Sequence, residues 1–177
     1  MSASSLKIED KDLGFAKIMR DFKQMKATTI TAGVHSDAEP YPQRLDRDMT
    51  DVADVAYINE FGGPPNTPER AFMRPAFDDD HQGWVDFAHT EVQNVIDKKE
   101  SMNKALFNMG EKMVKSIRGK IVSLRNPPLA DKTIELRQER GEYEYALDKP
   151  LMETGHMINS MTHKERTGYE LDGGLPF

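Results

Sequence analysis

The stretch MNKALFNMGEKMVKSIRGKIVSLR, Met102 to Arg125, decides how the rest of this chain is read. Met102, Leu106, Met109, Met113, Ile117, Ile121 and Leu124 recur every three or four residues. That spacing lays one apolar stripe along an α-helix. Pro127 and Pro128 end it, because proline lacks the amide and clashes with the preceding turn. A stripe of this kind must be buried, so the helix is the expected spine of the fold. Lys104, Lys112, Lys115, Arg118, Lys120 and Arg125 share the segment with one acid, Glu111. Lys104, Lys115, Arg118 and Arg125 fall largely opposite the stripe. This basic face reads either as the solvated side of a core helix or as a surface for an acidic partner subunit or passing DNA.

Outward from this helix, Asp78 to Glu100 predicts another, with Trp84, Phe87, Val92, Val95 and Ile96 on its buried side. Its acidic start, Asp78, Asp79 and Asp80, suits the positive end of the helix dipole. Downstream, Asp131 to Arg140 predicts a short helix, and Glu142 to Asp148 a loop or short strand. Leu151 to Ser160 predicts one or two helical turns. Met161 to Lys164 and Gly168 to Leu171 are expected to pair as a hairpin around Glu165 to Thr167. Toward the N-terminus, Val52, Val55, Ala56, Ile58 and Asn59 give helical spacing over Asp51 to Phe61, and Gly62-Gly63 stops it. The β-branched, alternating TTITAGVH predicts a strand over Thr28 to His35. Leu13, Phe15, Ile18, Met19, Phe22 and Met25 predict a helix over Asp10 to Lys26.

Residues 1–5 are expected to be mobile, and 36–50 and 62–77 to be long loops. The second of these reads as an extended Pro-rich arm, because its prolines are expected to bar regular structure. The fold expectation is a single α+β domain over residues 1–177, with helices packed against a small, mostly antiparallel sheet.

Hydrophobic residues make up 37% of the chain and charged residues 31%, which is more polar than an average globular domain. That balance suits a subunit that gains stability from neighbours, or an elongated helical protein. The net charge of -6 argues against wholesale nucleic-acid binding. With no cysteine, disulfides and thiolate metal sites are excluded. No apolar run is long enough to span a membrane, and MSASSLKIEDKDLG has no secretory core, so a soluble protein made in the cytoplasm is expected.

Catalytic signatures are missing: there is no nucleophile elbow, no phosphate-binding glycine loop and no dinucleotide fingerprint. His35, His81, His89, His156 and His163 show no metal-ligand spacing and read as ordinary histidines. Asp78 to Asp80 lack the spaced ligands and glycine of a calcium loop. Neither catalysis, nor a metal, nor a cofactor is expected. The arm joins Arg70 and Arg74 with Phe72, Met73 and Phe77. Arginine and aromatic residues are common interface anchors, so these five read as a subunit interface or as a loop tucking its rings into its own core.

Three blocks carry a family resemblance. AYINEFGGPPNTPERAFMRPAFD (Ala56 to Asp78), NPPLADKTIELR (Asn126 to Arg137) and KPLMETGHMINSMTH (Lys149 to His163) occur in that order over about two-thirds of the chain. Together they resemble the neck and tail-completion group of long-tailed phages and prophages, which includes lambda-type tail-completion and Mu-like virion morphogenesis proteins. Met152 and Glu153 stand where the family pattern often has Ile and Asp, and residues 1–50 match none of its blocks.

The resemblance implies a small α+β structural subunit of the head–tail joint, assembled in the host cytoplasm and retained in the virion. It implies a ring of six or twelve copies that meets the head-side connector or head-completion protein and the tail terminator or tail tube. DNA would pass through without sequence recognition. The competing readings are a tail assembly chaperone that leaves before maturation, and a nucleic-acid-binding regulator using the basic helix 102–125.

Overall fold

The computed structural model describes residues 14–41, 51–64, 66–141 and 147–167. In chain order they form α1 (Phe15–Lys26), β1 (Thr28–Val34), α2 (Val52–Phe61), α3 (Met73–Ile96), α4 (Met102–Ser123), α5 (Asp131–Arg140), α6 (His156–Asn159) and β2 (Met161–Thr167). This is the expected α+β class, with a two-stranded antiparallel sheet among the described residues. Expectations for residues 1–5, 10–13, 42–50, 142–146 and 168–171 fall outside the described residues.

The spine is α4. Ser101 caps its start by accepting a hydrogen bond from the Lys104 amide at 3.3 Å. Its buried line runs Met102, Ala105, Leu106, Gly110, Val114, Ile117 and Ile121. Met109 and Met113 flank that line and are only partly covered. Helix α3 returns along α4 as an antiparallel hairpin, and the contacts descend in step. Asn108 Nδ2 donates to Glu91 at 2.7 Å, Lys112 lies 6.0 Å over the Phe87 ring, Trp84 Nε1 donates to Ser116 at 2.9 Å, and Lys120 pairs with Asp79.

The sheet covers another side of α4. β1 and β2 pair with Val34 opposite Met161, Ala32 opposite His163 and Ile30 opposite Glu165. Helix and sheet approach closely at Gly110. A Cβ there would stand 2.9 Å from the Cβ of His163 and closer still to its ring, so only glycine fits. One apolar cluster gathers Val52, Ala56, Phe72, Ala76, Val114, Ile117, Ile121, Met157 and Met161. A second, around Val95, Met102, Ala105 and Leu106, takes in Met25 and Ile30. Helix α1 is only half covered, leaving Phe15 and Met19 exposed.

Two local expectations are corrected. Met161–Thr167 is one strand, so the turn expected at Glu165 to Thr167 does not form. Its partner is β1, from the other end of the chain. That pairing lays Met161 and His163 on α4 while giving β1 the hydrogen-bonded neighbour it needs. The second correction concerns the arm. Helix α3 begins at Met73, not at Asp78, so Pro75 sits in its first turn and the Asp triplet in its second. Proline is tolerated there because an amide at that position has no helical partner in any case. Among the described residues no helix is long and apolar enough to cross a membrane.

Candidate interaction surface

The first sequence block folds into a corner that Glu60 holds together. Glu60 lies in the last turn of α2 and is 3% exposed. Its Oε2 accepts from the amides of Phe72 (2.7 Å) and Met73 (2.9 Å), and its Oε1 from the amide of Arg74 (3.0 Å). Pro75 has no amide, and Ala76 N already donates to Phe72 O. Every amide at the start of α3 is therefore bonded or absent, and one carboxylate from α2 caps the helix. Gly62 makes the return possible. Its φ of 75° is left-handed, and a Cβ would meet Glu69 N at 3.1 Å and Thr67 O at 3.2 Å. Gly63 and Thr67 then exchange backbone hydrogen bonds at 2.9 Å to close the loop.

Arg74 answers Glu60. Its Nε donates to Glu60 Oε1 at 3.0 Å, and its Nη2 to Glu60 O and Glu69 Oε1, both at 2.7 Å. The hydrogen bond to Glu60, then that to Glu69, raises the pKa of this guanidinium. Arg70 does different work. It is buried, and it donates from Nε to Pro127 O (2.9 Å) and from Nη2 to Pro128 O (2.8 Å). Burial holds its pKa below the usual value.

The same device recurs in the other two blocks. Arg137 Nη1 donates to Leu147 O (3.1 Å) and Lys149 O (2.8 Å), joining the second block to the third. Arg118 donates to Ile158 O (3.2 Å) and Met161 O (2.7 Å), satisfying carbonyls at the end of α6. In the third block Thr154 Oγ1 accepts from the His156 amide at 3.3 Å and Gly155 takes a left-handed φ of 70°. The three blocks thus form one frame, riveted by arginines to backbone carbonyls.

This placement sorts the residues read as a subunit interface. Phe72 is fully buried in the protomer's own core, and Arg70 is turned inward onto the Pro127 and Pro128 carbonyls. Met73 is half-buried against the same core. Arg74 and Phe77 remain on the outside. Arg74 lies 4.8 Å over the exposed Phe61 ring, which packs 4.9 Å from exposed Tyr57. Phe77 stacks on His81 at 5.3 Å and meets the edge of Trp84 at 5.9 Å. Tyr57, Phe61, Arg74 and Phe77 therefore make an exposed aromatic face. The sequence reading missed Tyr57 and Phe61, although their four-residue spacing on α2, off the Val52–Ala56 side, marks them as outward.

The basic helix is sorted likewise. Lys104 is exposed and lies 4.8 Å over the Phe107 ring, and Lys115 is exposed. Arg125 folds back onto Val122 O and Leu124 O. Arg118 faces inward and does not belong to the outer surface. Instead Lys112 and Lys120 join Lys115 along a groove between α3 and α4.

The described histidines make different contacts. His35 sits between the Thr31 and Thr162 hydroxyls, and burial, then Lys164, lowers its pKa. His156 meets Glu39 O at 2.8 Å, and His163 lies 3.2 Å from Glu111. Among the described residues no group of three or more acids and histidines could hold a metal ion. Comparison with known protein families, with curated proteins and with solved structures finds no match.

Proposed function

We propose that this chain is a structural subunit of the head–tail joint of a long-tailed phage or prophage. It would form a ring between the head-side connector and the tail and keep the DNA channel continuous. The observation that carries this reading is that the resembling blocks act as one unit. The characteristic Arg70 and Arg137 of the first two blocks each hold backbone carbonyls of, or next to, the following block. That gives the sequence resemblance a physical purpose, a stiff frame, and the frame presents the aromatic face of Tyr57, Phe61, Arg74 and Phe77. Rigid aromatic and arginine surfaces suit permanent protein contacts.

Quantitative mass spectrometry of purified particles tests the reading, with this chain counted against the portal. Half or full portal stoichiometry supports a ring in the neck. Absence from particles, with production during infection, rejects it in favour of a departing assembly chaperone or a regulator. Phe77→Glu gives a sharper test than any change at Arg74, which is tied to the fold through Glu60. Phe77 is 57% exposed, so the variant should fold with unchanged helical circular dichroism and lower infectious titre by orders of magnitude. Normal titre removes this face from the joint.

A further inference from the structure

The groove between α3 and α4 has a volume of about 310 Å³ and is lined by Lys112, Lys115, Ser116, Gly119, Lys120 and Asp80, among others. Gly119 borders open space, where a Cβ would meet nothing within 4 Å. Lys120 is neutralised by Asp79. Lys112 and Lys115 have no carboxylate partner among the described residues. From Lys112 to Lys120 the row spans eight helical steps, about 12 Å.

A matching row of opposite sign lies elsewhere on the molecule. On α5, Asp131, Glu135 and Glu139 are exposed and spaced four apart, so they share one face over about 12 Å. None of the three has a cationic partner among the described residues, and no ion pair joins them to the groove within the protomer. Leu136 flanks the acidic row at 39% exposure, and Val122 flanks the lysine row at 42%.

We infer that α5 of a second copy of this chain lies in the α3–α4 groove, its carboxylates against Lys112 and Lys115. This rests on the ring-subunit reading and names the contact that would close the ring. The two rows are different surfaces, so the contact is head-to-tail, the kind that closes into a ring when its rotation permits. A nucleic-acid backbone is the other candidate occupant. The net charge of -6 weighs against it.

Sedimentation velocity of the full chain at low and high salt tests the contact. Three variants are compared: K112E/K115E, E135K/E139K, and the four changes combined. Each double swap should weaken self-association roughly hundredfold, because like charges then face each other. The combined variant should restore it, and salt should weaken the wild-type assembly. Restoration also excludes misfolding as the cause of the single losses. Wild-type-like assembly of K112E/K115E, or no rescue in the combined variant, overturns the contact. The ring reading then stands or falls separately on particle stoichiometry. A wild-type chain that stays monomeric at every concentration overturns the contact as well. If K112E/K115E instead abolishes low-salt retention of duplex DNA on filters and leaves assembly intact, the occupant is nucleic acid and the proposal fails.

Discussion

Removing Glu60 should damage this fold more than removing any other single carboxylate among the described residues. Its two oxygens accept from three backbone amides at the start of α3 and from the Arg74 guanidinium. Hydrogen bonds to a charged acceptor contribute about 1.5–3 kcal/mol each. In Glu60→Ala the Phe72 amide is left buried with no acceptor, and that loss is felt in full. The Met73 and Arg74 amides are only part-buried, so water recovers some of theirs. The net cost is about 3–5 kcal/mol, a large share of the roughly 5–15 kcal/mol that holds a typical domain. For a chain of this size the midpoint of thermal unfolding should fall by about 6–20 °C.

Glu60→Gln keeps the shape and one acceptor oxygen, and should cost about half as much. Glu69→Ala is the control. Glu69 also pairs with Arg74, but its side chain is 56% exposed, so its loss should cost no more than about 0.5 kcal/mol. Far-UV circular dichroism followed through heat and urea unfolding measures all three. If Glu60→Ala lies within about 1 kcal/mol of the parent, the carboxylate is not the cap of α3 and the account of this corner is wrong.

Two further substitutions read other parts of the frame. Gly110→Ala pushes a methyl into His163, whose Cβ would be 2.9 Å away, and should destabilise by about 1–2 kcal/mol after the gain in helix propensity. Gly83→Ala, where a Cβ meets nothing within 4 Å, should instead stabilise by about 0.5–1 kcal/mol, and urea midpoints of the pair test the opposite signs. At the α3–α4 turn, the hydrogen bond with Glu91, then burial, raises the pKa of Glu100. A raised folded pKa means stability that is full below the unfolded value near 4.5 and is lost as pH rises through the folded one. Glu100→Gln should therefore raise the unfolding midpoint at neutral pH and flatten its decline between acid and neutral pH. An unchanged pH profile would show that ionising Glu100 does not lower stability.

Much of the architecture was legible because it rests on local periodicity. The three- and four-residue spacing from Met102 gave α4 to within two residues, and the bounds of α5 fell where its polar run and Gly141 place them. β-branching marked β1, and Gly62 marked the end of α2. The family blocks were visible as words, but their purpose was not. Phe72 and Phe77 look alike in sequence, yet one is sealed in the core and the other is 57% exposed. Arg70 reads as an interface anchor, Arg118 as part of a basic outer face, and no spacing singles out Arg137, yet each donates to distant backbone carbonyls. Long side chains find such partners only when remote segments arrive beside them, and spacing along the chain carries no record of that arrival.

The sequence by itself determined which segments are helical and which face of α4 is buried. Tertiary structure alone decided where α3 begins, which strand β2 pairs with, and which of the basic and aromatic residues remain outside. The physical reason is the same in each case. Helix periodicity is enforced by neighbours three and four residues away, whereas the cap on α3, the partner of β2 and the exposure of Phe77 are set by groups brought together only when the chain closes on itself.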